Sequence, residues 1–449
     1  MDISFITKLL GSDRRSKKVG KNIMMSMGIK GLDTFVYLAL VPLTLGYLNS
    51  YEYGIWLTLN SILMWINSFD IGLGNGLRNK LAEAEAQGDH ELARKYVSTT
   101  FFMLIIIMSI IAVFGCVFIY ILDWYNILGA TTESVPNLNN IVLLSFAIFC
   151  LNFVVKFVGN VYLALQMPAI NNLMVTSGHL LALILIFLLT KFTNGNLLYV
   201  AVAYSISPVI VYVCMYPITF FKVYKYLSPS PKYFDKKYLN PLLSIGVNFF
   251  LLQVAGIVLF SFSNIIISRE FGPDKVTPYN ISYRYFSMMS MIMGLISAPM
   301  WSATTDAFVK GDYVWIKKTI SKIKLIIMIM TVILVIMVMM SNFIYRLWVG
   351  GNVEIPILMS VLMAVYILVL MWSSSYSNFL NGMGKLRLQT INTVIEAIIF
   401  YPICIFLSSY WNIYGVLLGM ILVNSLGMIV NIIQTHLILN NKATGLFLK

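Results

Sequence analysis

The chain has 449 residues, of which 59% are hydrophobic and only 11% are charged, and its formal net charge is +13. A soluble domain usually contains about 25% charged residues, so this composition excludes a soluble protein. Apolar stretches recur from end to end, each long enough to cross a hydrocarbon core about 30 Å thick. They are continuous rather than alternating, unlike the strands of a transmembrane barrel. The composition therefore predicts an all-α polytopic membrane protein.

Hydropathy predicts twelve transmembrane helices, and the basic N-terminal segment lacks the small-residue cleavage site of a signal peptide. The four cysteines and 26 methionines are interpreted as packing residues, because they have no metal-ligand spacing. No metal site is therefore predicted. The spans are placed at 22–48, 55–77, 98–122, 141–166, 169–190, 196–221, 241–268, 277–302, 322–343, 356–380, 388–409 and 413–438.

The distribution of basic residues predicts the orientation. With both termini inside, 24 of the 31 Lys and Arg residues fall on the cytoplasmic side and only 4 fall outside. The positive-inside rule therefore places both termini in the cytoplasm. The net charge then reflects orientation and attraction to anionic lipid headgroups, and it requires no nucleic-acid partner.

Two cytoplasmic loops indicate an internal repeat. Residues 88–98 read GDHELARKYVS and residues 311–321 read GDYVWIKKTIS. The outer segments LGYLNSYEYGI and FGPDKVTPYNI match at nearly the same offset. Both halves start in the cytoplasm and have six spans, so they are predicted to be parallel repeats, two six-helix bundles with a cavity between them. This is a transporter architecture.

The repeat and the Pro-, Tyr- and Lys-rich segment YKYLSPSPKYFDKKYLNP define the predicted domains. An N-lobe with spans one to six and a C-lobe with spans seven to twelve are joined by a cytoplasmic linker and flanked by two cytoplasmic tails. The boundaries are 1–21 for the first tail, 22–225 for the N-lobe, 226–240 for the linker, 241–438 for the C-lobe and 439–449 for the second tail.

Charged side chains within the spans are the candidate functional residues, because each costs roughly 2.5–3.5 kcal/mol on insertion scales. They are Lys30, Asp33, Asp70, Lys156, Arg284 and Glu396. Each also has a structural interpretation. Lys30 and Asp33 can pair on one helix face, Asp70 can cap its span or pair with Arg78, and Glu396 can pair with Arg387 or Lys385. Lys156 can snorkel, Arg284 can reach headgroups, and His179 is interpreted as a core residue.

The stretch YEYGIWLTLNSILMWINSFDIGLGNGLRNKLAEAEAQGD, with FGPDKVTPYNISYRYF and NFLNGMGKLRLQ, resembles bacterial polysaccharide-biosynthesis membrane proteins. These are the oligosaccharide-repeat flippases for O-antigen and capsule, in the multidrug/oligosaccharidyl-lipid/polysaccharide exporter superfamily. The resemblance implies a V-shaped, alternating-access transporter in the bacterial plasma membrane. Its cargo would be an undecaprenyl-pyrophosphate-linked oligosaccharide, moved from the inner to the outer leaflet.

The resemblance also implies roles for the site residues. Cations on spans one, two and eight of related flippases face the cavity, and here Lys30 and Arg284 match spans one and eight. Span two carries no interior cation, which departs from that pattern. With Lys156, these cations would meet the cargo pyrophosphate, while Asn248 and Gln253 would hydrogen-bond the sugars. Asp33, Asp70 and Glu396 would pair charges or carry a coupling proton or sodium ion.

The partners expected are the lipid-linked oligosaccharide, membrane lipids and the glycan polymerase machinery, with the protein acting as a monomer. Membrane potential is an alternative to ion coupling, and no cofactor is expected. No catalytic constellation is present, so an enzyme is not predicted. The alternative function is a cation-coupled multidrug exporter of the same superfamily. Such an exporter favours acidic residues in an apolar pocket of the N-lobe, whereas here Lys30 and Lys156 offset Asp33 and Asp70.

Overall fold

The computed structural model of the protein describes residues 14–64, 73–165, 167–239, 262–385 and 387–448. Within these ranges every regular element is a helix, which confirms the all-α prediction. Nine helical segments there are long and apolar enough to cross a membrane. The count of twelve spans stays a prediction, because predicted spans two and seven lie partly outside the described ranges.

The exposed surface of the long helices is strongly apolar, as expected of a multi-pass membrane protein. Phe114 is 61% exposed, Met339 is 79% exposed and Leu347 is 75% exposed. Such side chains carry no hydration penalty when lipid covers them.

The chain divides into two compact units, Met1–Gln253 and Val254–Lys449. The first unit contains nine α-helices within its described residues. They are α1 (Arg14–Tyr47), α2 (Ser50–Leu63), α3 (Leu73–Gln87), α4 (His90–Ile121), α5 (Trp124–Leu128), α6 (Leu138–Val155), α7 (Phe157–Ala164), α8 (Pro168–Phe192) and α9 (Leu197–Pro217).

The core of the first unit lies where α1 packs along α8 and α8 packs against α9. Leu40, Ala182, Ile186 and Ala203 form a buried cluster there. The two alanines allow the helix backbones to approach closely, as small residues do between membrane helices. This packing fixes α1 and α8 side by side, which positions the polar residues described below.

The predicted linker packs on the first unit rather than lying free. Nε of Arg94 on α4 donates a hydrogen bond to the carbonyl of Ser228 at 2.9 Å. The same guanidinium lies 4.3 Å from the ring centroid of Tyr233. The hydroxyl of Tyr226 donates to Oε2 of Glu85 at 3.0 Å. Burial and this hydrogen bond raise the pKa of Tyr226 to about 12.

The second unit contains six α-helices within its described residues. They are α10 (262–271), α11 (Pro273–Val309), α12 (Tyr313–Val349), α13 (Ile357–Gly382), α14 (Arg387–Trp411) and α15 (Ile413–Leu439). Helix α13 packs against α11, α12 and α15, and α14 packs along α15.

The two repeated Gly-Asp loops have the same backbone geometry. Gly88 and Gly311 lie in the left-handed region with φ of 73° and 72°. The residue after each glycine caps the next helix. Oδ1 of Asp89 accepts from the Leu92 amide at 2.9 Å, and Oδ1 of Asp312 accepts from the Trp315 amide at 2.9 Å. The sequence match therefore corresponds to a matched turn and helix start.

Candidate functional site

Three of the predicted site residues, Asp70, Asn248 and Gln253, lie outside the described residues, and their roles stay predictions. The other five are distributed over both units. Lys30 and Asp33 lie on α1, and Lys156 lies between α6 and α7. Arg284 lies on α11 and Glu396 on α14.

Asp33 forms a hydrogen bond with His179 across the α1–α8 contact. Nδ1 of His179 lies 2.7 Å from Oδ1 of Asp33, and the two side chains are 35% and 26% exposed. An ionised carboxylate only accepts hydrogen bonds, so the imidazole donates. The Tyr37 ring lies one turn beyond Asp33, with its centroid 5.6 Å from that of His179. His179 is thus part of a polar contact between helices and not an isolated core residue.

The sequence-based pairing of Lys30 with Asp33 is not what the structure shows. Lys30 is exposed, and among the described residues its amine forms no ion pair within 4.0 Å. Asp33 instead reaches sideways to α8, because the packing of α1 on α8 places the imidazole closer than the flexible lysine. The lysine charge is therefore left available to solvent or to a ligand.

Aromatic and hydroxyl groups continue on α1 beyond this pair. Oγ1 of Thr44 lies 3.0 Å from the hydroxyl of Tyr204 on α9. The Tyr204 ring is 5.2 Å, centroid to centroid, from the ring of Trp56 on α2. Thr44 is 0% and Trp56 only 2% exposed, so these groups join α1, α2 and α9 inside the first unit and are not open to a ligand.

Lys156 lies where predicted span four passes from α6 to α7. The chain leaves α6 at Val155 and enters α7 at Phe157, and the Lys156 amide still donates to the Asn152 carbonyl at 2.9 Å. The Lys156 side chain is partly buried. Lys156, the one cationic residue of this span, keeps helical backbone angles of φ −57° and ψ −20°, so α6 and α7 together form one span of 27 residues, Leu138–Ala164.

Arg284 is partly buried in the middle part of α11. A second polar contact lies one turn earlier on the same helix, where Nδ2 of Asn280 donates to Oδ1 of Asn264 on α10 at 2.9 Å. Tyr285 packs edge-on against Tyr345 of α12, with centroids 5.4 Å apart. Polar groups of the second unit therefore cluster where α10 and α11 meet.

Glu396 does not pair with Arg387 or Lys385, and the sequence-based expectation of such a pair is wrong. Arg387 begins α14, nine residues or about 13 Å of helix rise away. Glu396 is only 6% exposed, and its Oε1 accepts from Nδ2 of Asn392 at 2.6 Å. A methyl group added at Gly427 of α15 would overlap Oε1 of Glu396. The missing side chain of Gly427 thus makes room for a buried carboxylate.

A groove of about 700 Å³ also lies on the α1–α8 pair. The side chains that line it are all apolar and include those of Pro42, Leu183 and Phe187. An anionic pyrophosphate would find no donor there, so the groove is separate from the polar residues of the same helices.

Sequence reasoning missed His179 as a partner, as well as Asn431 and Gln434 on α15, which are buried. A weak signal existed for the last two, since they are amides three residues apart on an apolar helix. No sequence signal revealed which helix they would face.

In the described residues, helices of this number and polarity define a polytopic α-helical membrane protein. The model of the polysaccharide biosynthesis protein family matches residues 17–304. The chain belongs to this family, which confirms the resemblance drawn from the loop sequences.

Two curated relatives match over most of their length. A putative O-antigen export protein of Yersinia pseudotuberculosis is 22% identical over 382 residues, covering 83% of this chain and 85% of that protein. A putative O-antigen transporter of Salmonella typhimurium is 22% identical over 420 residues, covering 91% and 94%.

Among solved structures, the fold is similar to that of a multidrug resistance MATE family transporter of the MOP superfamily. The inward-facing structure matches with a TM-score of 0.74 and 16% identity, covering 98% of both chains. An outward-facing structure matches with a TM-score of 0.64 and 15% identity, covering 97% of this chain and 98% of the other. At this identity the likeness shows the fold alone.

Proposed function

We propose that this protein is a flippase that moves an undecaprenyl-pyrophosphate-linked oligosaccharide from the inner to the outer leaflet of the bacterial plasma membrane. Family membership and the two O-antigen relatives support the cargo class. Both termini would be cytoplasmic, and lipids, the lipid-linked glycan and the polymerase machinery would be its partners. The fold supports alternating access as the mechanism, with the protein acting as a monomer.

The observation that carries the proposal is the distribution of charge around Asp33. His179 donates to the only carboxylate in the described part of α1, at 2.7 Å, while Lys30 one turn away stays exposed. The carboxylate is thus bonded to the imidazole, and the lysine ammonium is left accessible. Such a site attracts a pyrophosphate, whose oxygens accept charge-assisted hydrogen bonds from an ammonium.

The remaining site residues would act along the same route. Lys156 and Arg284 would meet the pyrophosphate at other stages of the cycle, the guanidinium in a bidentate manner. Asn248 and Gln253 would hydrogen-bond the sugars. The polyprenyl chain would remain in lipid, so that no polar group of the protein has to be desolvated to hold it.

A multidrug exporter is the second candidate, because the fold is similar to MATE transporters. A cationic drug needs a carboxylate that is free to bind it, and Asp33 is already engaged by His179. The charge distribution therefore favours the anionic cargo.

The test is complementation of cells that lack their own flippase, scored by surface glycan and by membrane abundance. We expect Lys30→Ala to lose most surface glycan at normal abundance and Lys30→Arg to retain it, since only the charge is needed. Lys191→Ala is the matched control, because Lys191 is also an exposed lysine of a spanning helix and should transport normally.

Normal glycan from Lys30→Ala would overturn the cationic route. Resistance to cationic drugs conferred by the wild-type chain, without any restored glycan, would favour the exporter.

A further inference from the structure

The first turns of α4 and α12 are equivalent in the internal repeat, yet they differ in what covers them. Both helices follow a glycine with positive φ and a capping aspartate. Aligning Gly88 with Gly311 therefore gives each residue at the start of α4 a counterpart at the start of α12.

In the first unit, the linker covers one side of α4. The Ser230 amide donates to Oγ of Ser98 at 3.1 Å, and the Asp235 amide donates to Oγ1 of Thr99 at 3.2 Å. Arg94 on the same side is bonded to the linker as described above. Ser98 and Thr99 are fully buried beneath this segment.

The equivalent side of α12 is exposed. Ser321 and Lys322 stand at the positions of the two buried hydroxyl residues, and both are exposed. Lysines lie next to them in the preceding turn. We name this surface the lysine face, which consists of Lys317, Lys318, Ser321 and Lys322, all of them exposed.

The positive charge of the lysine face is not neutralised by its own helix. Helix α12 contains no Asp or Glu, and within the described residues no ion pair reaches Lys318 or Lys322. The counterpart of Lys318 on α4 is Lys95, which forms an ion pair with Glu91. The residue of α12 at the position of Glu91 is Val314, so the repeat lacks this pair in the second unit.

Two of the three lysines are available to a common ligand. Nζ of Lys317 donates to Oδ1 of Asn440 at 2.9 Å, which holds this amine at the end of α15. Lys318 and Lys322 are four residues apart and therefore neighbours on one side of the helix. Their ammonium groups can both donate charge-assisted hydrogen bonds to one phosphate.

The position of the two lysines along α12 places this phosphate at a membrane surface. Leu325 and Ile329 each lie seven residues beyond one of the lysines, and hence on the same side of the helix. They are 55% and 54% exposed, as expected of side chains covered by lipid. Four residues of helix rise about 6 Å, which is close to the depth of the headgroup layer between a core of about 30 Å and a bilayer surface about 40–45 Å across.

We propose that the lysine face binds the headgroup phosphate of an anionic phospholipid through Lys318 and Lys322. A zwitterionic headgroup also offers a phosphate, but its own ammonium is repelled by the two lysines. An acidic protein segment would match the charge without covering the apolar side chains that follow directly on the same side. The lipid thus covers α12 where the linker covers α4. This binding does not rest on the proposed transport function.

The test measures lysine acetylation in the purified full-length protein, reconstituted in nanodiscs of phosphatidylglycerol or of phosphatidylcholine at equal ionic strength. A neutral N-hydroxysuccinimide ester modifies the amines, and mass spectrometry gives the rate at each lysine. We expect Lys318 and Lys322 to react about tenfold more slowly in phosphatidylglycerol, relative to Lys95. Lys95 is the matched control, because it stands at the equivalent position and already has a partner in Glu91.

Equal slowing of all three lysines would overturn the proposal, since it would show only the general effect of a charged surface. Protection of Lys318 and Lys322 in native membranes but not in phosphatidylglycerol nanodiscs would also overturn it and would indicate a protein partner. These measurements use the wild-type chain, so they do not depend on the folding of a variant.

Variants give a second measurement, the rise in unfolding temperature when phosphatidylglycerol is added to the protein in detergent. The double variant Lys318→Gln/Lys322→Gln should need about tenfold or more lipid for the same rise, because each lysine near an anionic surface contributes to binding. Lys318→Arg/Lys322→Arg and the control Lys95→Gln should respond like the wild type. An unchanged response of the glutamine double variant would contradict the proposal. No lipid-linked glycan is present in either assay, so their outcomes are independent of the complementation experiment.

Discussion

Asp33 illustrates how a charged residue in a membrane helix finds its partner. Lys30 lies three residues away on the same helix, and His179 lies in a helix far along the sequence. The structure places the carboxylate 2.7 Å from the imidazole, because α1 and α8 pack together over their buried apolar residues. Forming this pair orders the short side chains of Asp33 and His179. Ordering them costs less conformational entropy than ordering the long side chain of a lysine.

This pairing predicts a specific pattern of energetic coupling. In a double-mutant cycle, Asp33→Asn and His179→Gln should be coupled by about 0.5–3 kcal/mol in unfolding free energy, as expected of groups in contact. Asp33→Asn and Lys30→Ala should be additive within about 0.5 kcal/mol. Reversible unfolding of purified variants measures both. Strong coupling to Lys30 and none to His179 would contradict the observed pair.

Gly427 gives a second prediction at the residue scale. A methyl group there would overlap Oε1 of Glu396 and lie 3.1 Å from Nδ2 of Asn392. Gly427→Ala should therefore destabilise the protein by about 1–3 kcal/mol, the usual cost of overpacking. Gly294→Ala is the control, since nothing lies within 4 Å of a methyl group there, and alanine stabilises a helix interior. Equal unfolding temperatures for the two variants would show that α15 can move away from Glu396 without any loss of stability.

Among the elements, the clearest similarity is between the starts of α4 and α12. Each follows a glycine with positive φ and is capped by the next residue, Asp89 or Asp312. An aspartate at this position accepts a hydrogen bond from a first-turn backbone amide that has no partner within the helix. Its negative charge also interacts favourably with the helix dipole.

The matched caps predict matched energetic effects. Asp89→Ala and Asp312→Ala should each lower the unfolding free energy by about 0.5–2 kcal/mol, while asparagine should retain most of the cap. Thermal unfolding of the four variants checks this. Alanine variants no less stable than their asparagine counterparts would mean that the caps do not stabilise the helix starts.

The linker gives a prediction about local opening. Arg94 donates to the Ser228 carbonyl and stacks on Tyr233, and hydrogen bonds to charged groups contribute about 1.5–3 kcal/mol. Arg94→Leu should release the linker, so that trypsin cleaves after Lys232 or Lys236 about tenfold faster. Lys95→Leu is the control, because its partner Glu91 lies on the same helix. Equal cleavage rates in both variants would mean that other contacts hold the linker.

At the scale of the whole molecule, the sequence predicted the helical class correctly, and its two matched Gly-Asp motifs correspond to matched turns. These features depend on local signals, which are the length of apolar runs and the residue types at turns. Contacts between helices could not be predicted in the same way. Glu396 has basic residues nearby in sequence, yet its carboxylate lies against Gly427 of α15. The space there exists because Gly427 has no side chain, and the sequence around Glu396 does not indicate it.

The orientation can be tested directly. Lys236→Cys should react with a membrane-impermeant maleimide only after the cells are permeabilised, whereas Glu354→Cys should react in intact spheroplasts. The native cysteines lie within apolar helices, and their own labelling is measured on the chain without an added cysteine. The reverse labelling pattern would invert the predicted topology and with it the direction of the proposed transport.

The attachment of the linker to α4 has a consequence for how the gene could be divided. Residues as far as Asp235 are bonded to the first unit, since the Asp235 amide donates to Oγ1 of Thr99 at 3.2 Å. A split protein expressed from two reading frames should therefore keep the linker with the first fragment. If the chain were divided before residue 226, the first fragment would lose the groups that cover Arg94 and Glu85. The second fragment would begin with an aromatic segment that no longer has a surface to bind.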